Sequence, residues 1–148
     1  MMKEAIHALV ERQRAFFYKG KTRDIGFRQE QLLKLKNAIE DNENEIMAAL
    51  KKDLNKSRYE SFLTEIGFLY NEIKDMIKNV DLWAAPVKEK TPLTHTGAKS
   101  YIYKEPYGVT LIISPWNYPF QLSIAPLIGA IGAGNTAIIK PSELTPNT

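Results

Sequence analysis

Two stretches decide the fold: Val109-Thr-Leu-Ile-Ile-Ser-Pro-Trp-Asn-Tyr-Pro-Phe120 and Gly134-Asn-Thr-Ala-Ile-Ile-Lys-Pro-Ser-Glu143. Val109 to Ile113 is a continuous β-rich run, the pattern of a strand buried on both faces. Pro119 to Ala133 is mostly apolar and of helical length, and Gly134-Asn135 supplies a C-terminal stop. Thr136 to Ile139 is a second buried run. Strand, helix and strand in so short a span make one βαβ unit. The two strands should therefore run parallel, joined by a right-handed crossover.

Parallel strands put their carboxyl ends on one edge of the sheet, where open α/β sheets bind ligands. Ser114-Pro-Trp-Asn-Tyr-Pro119 leaves the first strand and Lys140-Pro-Ser-Glu143 leaves the second. The only charged residues beyond Glu105, namely Lys140 and Glu143, fall on that edge. The Asn117 amide could donate to a developing oxyanion, or simply shape a turn between prolines. Lys140 could give its ammonium to a ribose hydroxyl or phosphate, with Glu143 accepting from ribose hydroxyls. The plainer alternative is a surface lysine and a first-turn glutamate that stabilises a helix N-terminus. Trp116 could floor a cofactor site or fill core. Gly129, Gly132 and Gly134 spell the dinucleotide fingerprint in reverse, and they lie at the end of the helix. A phosphate loop must open a helix, where free N–H groups point outward. These glycines read instead as close helix–sheet packing plus a C-cap.

Outward from this unit, the composition changes near residue 90. Residues 1–90 hold 17 Lys+Arg and 15 Asp+Glu, residues 91–148 hold 3 and 2, and all 8 prolines lie at or after Pro86. The charged front reads as amphipathic helices. Ile6, Leu9, Val10, Phe16 and Phe17 share one face, with Gly20 as the stop. A second helix spans about Phe27 to Glu40 through Leu32, Leu35 and Ile39. Asn42 with Glu45, and Ser57 with Glu60, look like capping boxes for two more. The last runs through Phe62, Ile66, Leu69, Ile73 and Val80 towards Pro86. Charges on the outer faces read as solvated surface. Lys99 to Glu105 alternates like a half-exposed strand, with Tyr101 and Tyr103 on one face. At the other end, Ser142 to Thr148 resembles the opening of a further helix, with Thr145 as N-cap and Pro146 at its first position. Stopping there, with two parallel strands made, suggests a fragment of a longer chain.

At 148 residues, 44% hydrophobic and 25% charged, the composition excludes disordered and collagen-like classes. A net charge of +3, with no aromatic interleaving of basic residues, argues against nucleic acid. The cysteine count of 0 excludes disulfides, thiolate metal sites and a cysteine nucleophile within these residues. His7 and His95 lack metal-ligand spacing, so no metal site is expected. Neither a signal peptide nor a membrane-spanning run is visible, and a cytoplasmic location is expected.

Glu105-Pro-Tyr-Gly-Val-Thr-Leu-Ile-Ile-Ser-Pro-Trp-Asn-Tyr-Pro-Phe120, Pro126-Leu-Ile-Gly-Ala-Ile-Gly-Ala-Gly-Asn135 and Lys140-Pro-Ser-Glu-Leu-Thr-Pro146 together strongly resemble the NAD(P)-dependent aldehyde dehydrogenase superfamily. The WNYPF and KPSEL forms look most like its class 3, fatty-aldehyde branch. Phe27-Arg28 and Thr64-Glu-Ile-Gly67 are similar to that branch's N-terminal region. The resemblance implies an α/β fold in which N-terminal amphipathic helices precede a strand and the first βαβ unit of a parallel, Rossmann-like cofactor-binding sheet. On this division residues 1–90 form a helical layer and residues 91–148 begin the NAD-binding domain.

The resemblance further implies oxidation of an aldehyde to an acid through a cysteine thiohemiacetal, hydride transfer to a nicotinamide, and glutamate-assisted thioester hydrolysis. By similarity, Asn117 would donate to the oxyanion, and Lys140 and Glu143 would hold the adenosine ribose. Ser114, Pro115 and Trp116 would line the cofactor groove, and Tyr118 would lie near the aldehyde channel. NAD is implied, with NADP tolerated, and the full-length enzyme would be a homodimer. The family's nucleophilic cysteine, general-base glutamate and pyrophosphate-contacting glycines would lie beyond residue 148, so the chain alone is expected to be inactive. The competing expectation is a stand-alone, non-catalytic nucleotide-binding or helical interaction module.

Overall fold

A computed structural model describes residues 2–148. Helix α1 (Met2–Tyr18) stops at Gly20, whose φ of 75° is left-handed. After a 3-10 turn (Lys21–Arg23), the Asp24 carboxylate accepts from the Phe27 N–H at 2.6 Å and opens α2 (Ile25–Asp41). Helix α3 (Glu43–Leu54) follows without the expected capping box. The Asn42 amide instead donates back to the Ala38 carbonyl at 2.8 Å, because α2 runs on to Asp41 and spends that side chain on its own last turn. Ser57 caps as expected, accepting from the Glu60 N–H at 3.1 Å at the start of the short helix α4 (Arg58–Ser61). A π-helical turn (Phe62–Ile66) then leads into α5 (Gly67–Ala84).

Leu32 and Ile39 of α2, Met47 of α3, and Ile66, Leu69 and Ile73 of the π turn and α5 form one buried cluster. Ile128 joins it from α6 (Pro119–Gly132), and Phe120, Ile124 and Ile131 pack around it. The helical front and the crossover helix therefore share a core. Ahead of α6, β1 (Val87–Glu89) and β2 (Ser100–Ile102) pair antiparallel. The strand expected over 99–105 is thus only three residues long, and its side chains stay largely exposed.

Strands β3 (Val109–Ile113) and β4 (Thr136–Lys140) are parallel, in register from Val109↔Thr136 to Ile113↔Lys140, with α6 as the connection. This is the predicted βαβ unit. The expectation that β3 is buried on both faces needs correction. Ile112 is buried, but Leu111 and Ile113, which share the opposite face, are 62% and 69% exposed. Helices α1 and α6 both touch the sheet, and Leu111 and Ile113 stay exposed beside them.

The glycine expectation is also corrected in part. A Cβ on Gly132 would collide with Met76 Sδ of α5, so this glycine serves helix–helix rather than helix–sheet packing. Gly134, with φ of 83°, makes the C-terminal turn as predicted. Buried Arg28 lies against that turn. It donates to the carbonyls of Thr22 (2.7 Å), Gly132 (3.1 Å) and Arg23 (3.2 Å), and so satisfies an orphan carbonyl at the end of α6. Desolvation lowers its pKa from the usual arginine value, opposed by nearby Asp24.

Residues 142–148, read as the opening of a further helix, form turns within the described residues. Ser142 organises a turn, accepting from the Leu144 N–H at 3.2 Å and the Thr145 N–H at 3.4 Å. Among the described residues, no helix is long and apolar enough to cross a membrane.

Candidate active-site edge

The two turns that follow β3 and β4 leave the sheet together. Ile113 pairs with Lys140, and the next residue, Ser114, donates its backbone N–H to the Lys140 carbonyl at 3.0 Å. The Ser114 hydroxyl is buried against α6, where it shares a 2.8 Å hydrogen bond with Ser123. Ser123 also reaches the Pro119 carbonyl at 2.5 Å. Beyond this anchor, Pro115, Trp116, Asn117 and Tyr118 are exposed. The Asn117 side-chain amide makes no hydrogen bond to any described residue. Pro119, buried, then starts α6 at a position where a missing N–H costs nothing.

Across the edge, Lys140 and Glu143 form a salt bridge through Lys140 Nζ and Glu143 Oε2. That hydrogen bond, followed by one from its own backbone, holds the Glu143 carboxyl below the ordinary glutamate range. Both side chains are more than half exposed, at 54% and 78%, so water screens the pair and either partner can be drawn to a ligand at little expense.

The backbone around Asn117 is held from the helical layer. Lys56 Nζ donates to the Asn117 carbonyl at 3.0 Å and sits 4.0 Å from the centre of the Tyr118 ring. Its ammonium also pairs with Glu65 Oε1. Glu65 Oε2 accepts from the N–H groups of Phe120 (3.0 Å) and Gln121 (3.1 Å), capping the first turn of α6. Both charged residues are buried. They stand apart from the outer-face charges read as solvated, because each is paired and hydrogen-bonded at the interface with α6. Sequence reasoning passed over both. The available signal was that Glu65 stands four residues before Leu69 and eight before Ile73, on the core face of its helix.

A second carboxylate repeats the motif nearby. Asp53 of α3 accepts from the N–H groups of Asn147 (3.1 Å) and Thr148 (2.8 Å) and from both their side chains. Desolvation would raise the Asp53 pKa, but these hydrogen bonds outweigh it and hold the carboxyl below its ordinary value. Away from both turns, an open hollow of about 620 Å³ lies at the start of β4, by Thr136 and Ala137. Arg28 lines it, and each nitrogen of that guanidinium already donates to a backbone carbonyl.

The sequence model of the aldehyde dehydrogenase family matches residues 1–148. The chain belongs to this family. Among curated relatives, 4,4'-diaponeurosporen-aldehyde dehydrogenase of Staphylococcus aureus is 55% identical over 134 residues, covering 90% of this chain and 29% of that protein. The dimeric NADP-preferring aldehyde dehydrogenase of Canis lupus familiaris is 46% identical over 144 residues, covering 96% of this chain and 31% of that protein. The relatives are class 3 members of the family. The substrate-bound structure of Staphylococcus aureus AldH superposes with a TM-score of 0.91 at 50% identity, over 99% of this chain and 31% of that one. This aldehyde dehydrogenase chain thus spans about 30% of the length of the curated relatives it matches. Its backbone follows the aldehyde dehydrogenase fold over 99% of its length.

Proposed function

We propose that this chain is the N-terminal part of a cytoplasmic, homodimeric aldehyde dehydrogenase that oxidises aldehydes to carboxylic acids with NAD or NADP. Residues 1–90 supply its helical layer and residues 91–148 begin its NAD-binding domain. One observation carries the reading: the unpartnered Asn117 amide and the exposed Lys140–Glu143 pair share one sheet edge, tied by the Ser114 N–H to the Lys140 carbonyl. In an open parallel sheet that edge is where a dinucleotide sits.

The donor set fits such a group. An ammonium beside a carboxylate offers one donor and one acceptor to a ribose diol, and both side chains are accessible. Glu143 favours the free 2′-hydroxyl of NAD, while Lys140 can meet a 2′-phosphate, so NADP is tolerated. The dinucleotide, when bound, supplies the hydride acceptor. Lys140 and Glu143 hold its adenosine ribose, and Ser114, Pro115 and Trp116 line the groove. Tyr118 faces the aldehyde channel, and the Asn117 amide donates to the aldehyde oxygen as negative charge develops there.

The chain contains 0 cysteines. It therefore cannot supply the thiolate that this chemistry needs, and residues 1–148 alone are inactive. Coenzyme reduction measured with an aldehyde tests both statements. The full-length protein should reduce NAD, and the purified 148-residue chain should not. Lasting NAD reduction by the short chain, or none by the full-length protein across short and long aldehydes, would overturn the reading.

A further inference from the structure

Helix α6 opens with Pro119, so Phe120 and Gln121 carry N–H groups that no earlier turn can accept. The residue before the proline, Tyr118, makes no side-chain cap. A carboxylate 55 residues back along the chain fills the gap, with Glu65 Oε2 taking both N–H groups. Its other oxygen holds Lys56, and Lys56 holds the Asn117 carbonyl and faces the Tyr118 ring. Four of the five residues from Asn117 to Gln121 are thereby fixed by one buried ion pair. On the other side of Asn117, Ser114 is fixed to Lys140. Between these anchors the backbone is pinned, while the Asn117 amide stays free.

The helix that carries Glu65 is built for this. Within the π-helical turn Phe62–Ile66, the adjacent residues Glu65 and Ile66 are both fully buried. In a regular α-helix neighbours point about 100° apart, so one would drift from a narrow interface. The wider turn lets Ile66 stay in the core cluster while Glu65 reaches the start of α6. Such π turns often mark functional positions. A buried ion pair is a weak source of stability, since desolvation offsets its attraction. Its value here lies in where its hydrogen bonds converge.

We propose that Lys56 and Glu65 form a positioning pair for Asn117: they set the backbone of the turn so that its side-chain amide meets the aldehyde oxygen. This rests on the role proposed above for Asn117, and neither residue touches substrate.

The test uses the full-length protein. Lys56→Met/Glu65→Gln removes both charges at similar volume, and the glutamine carbonyl still accepts from α6. We expect kcat to fall about tenfold or more through misplacement of the amide, while KM for the coenzyme stays within about twofold. In an Asn117→Ala background the same double substitution should cost less than about twofold, because the group it positions is gone. An equal loss in both backgrounds means a structural pair only and overturns the inference. So does a normal kcat in the double variant when Asn117→Ala itself is strongly impaired. A near-normal Asn117→Ala enzyme removes the underlying role instead, which separates the two failures. Should the double variant not fold, Lys56→Arg, which keeps the charge but moves the donor, is read in the same two backgrounds. A fall in kcat confined to the Asn117 background is expected, and an equal loss in both, or none in either, overturns the inference.

Discussion

The backbone N–H of Ser114 donates to the carbonyl of Lys140 at 3.0 Å, one residue past the Ile113↔Lys140 pair. This bond extends the parallel ladder into the two turns, so they diverge only after Ser114. The turns carrying Asn117 and Lys140 therefore start side by side. The consequences can be measured residue by residue.

Asn117 is the sharpest case. Its backbone is held while its side-chain amide makes no hydrogen bond to a described residue. A preorganised donor aimed at developing charge contributes far more than a mobile one. In the full-length enzyme Asn117→Ala should lower kcat by about 10²–10³-fold, with little change in KM for the coenzyme. Steady-state kinetics check this, and a loss under about threefold is incompatible with an oxyanion role.

Glu143 should act on the coenzyme alone. Glu143→Gln keeps the shape but removes the charge that pairs with Lys140. The KM for NAD should rise several-fold, by about 3- to 10-fold for one weakened charge-assisted bond, while the KM for aldehyde stays near its starting value. Equal increases in both would argue against ribose binding.

Much of this edge was legible in the sequence. The runs Val109–Ile113 and Thr136–Ile139, the intervening helix and the Gly134 stop follow from local pattern, and local pattern fixes parallel pairing. What stayed hidden depends on contacts distant in sequence. The capping of α6 by Glu65 spans 55 positions, and a lone acid on a core face reads as surface until its partners are known. Leu111 and Ile113 are exposed within the described residues, because composition reports what a strand could bury rather than what lies on it there. Asn42 failed as a cap because two helices meet there and its side chain could serve only one.

Acid should release Asn147 and Thr148 from α3. The hydrogen bonds from Asn147 and Thr148 hold the Asp53 carboxyl below its ordinary value, against the desolvation that raises it. A depressed pKa contributes stability above the unfolded value, near 3.9, and that contribution is lost as pH falls through the folded one. The Asn147 and Thr148 amide resonances should therefore move together below about pH 4. Asp53→Asn should abolish that titration at an expense of under about 1 kcal/mol, since the site is largely solvent-screened. Amide shifts that titrate unchanged in the variant would assign the effect to another group.

Two glycines fifteen atoms of backbone apart, Gly129 and Gly134, should respond to alanine in opposite directions. Gly134 holds φ at 83°, where a Cβ costs about 1–2 kcal/mol. That Cβ would also stand 2.6 Å from Arg28 Nη2 and 2.8 Å from the Thr22 carbonyl. Arg28 cannot yield without releasing three hydrogen bonds, two of them buried, and the carbonyl is backbone. Gly134→Ala should therefore destabilise by about 2–4 kcal/mol. Gly129 lies inside α6 with nothing within 4 Å of an added Cβ. There alanine removes glycine's entropic penalty in a helix and should stabilise by up to about 1 kcal/mol. Thermal denaturation of the two variants beside the parent reads the difference directly. A parallel fall in Tm would show that α6 and its C-terminal turn do not have the packing described.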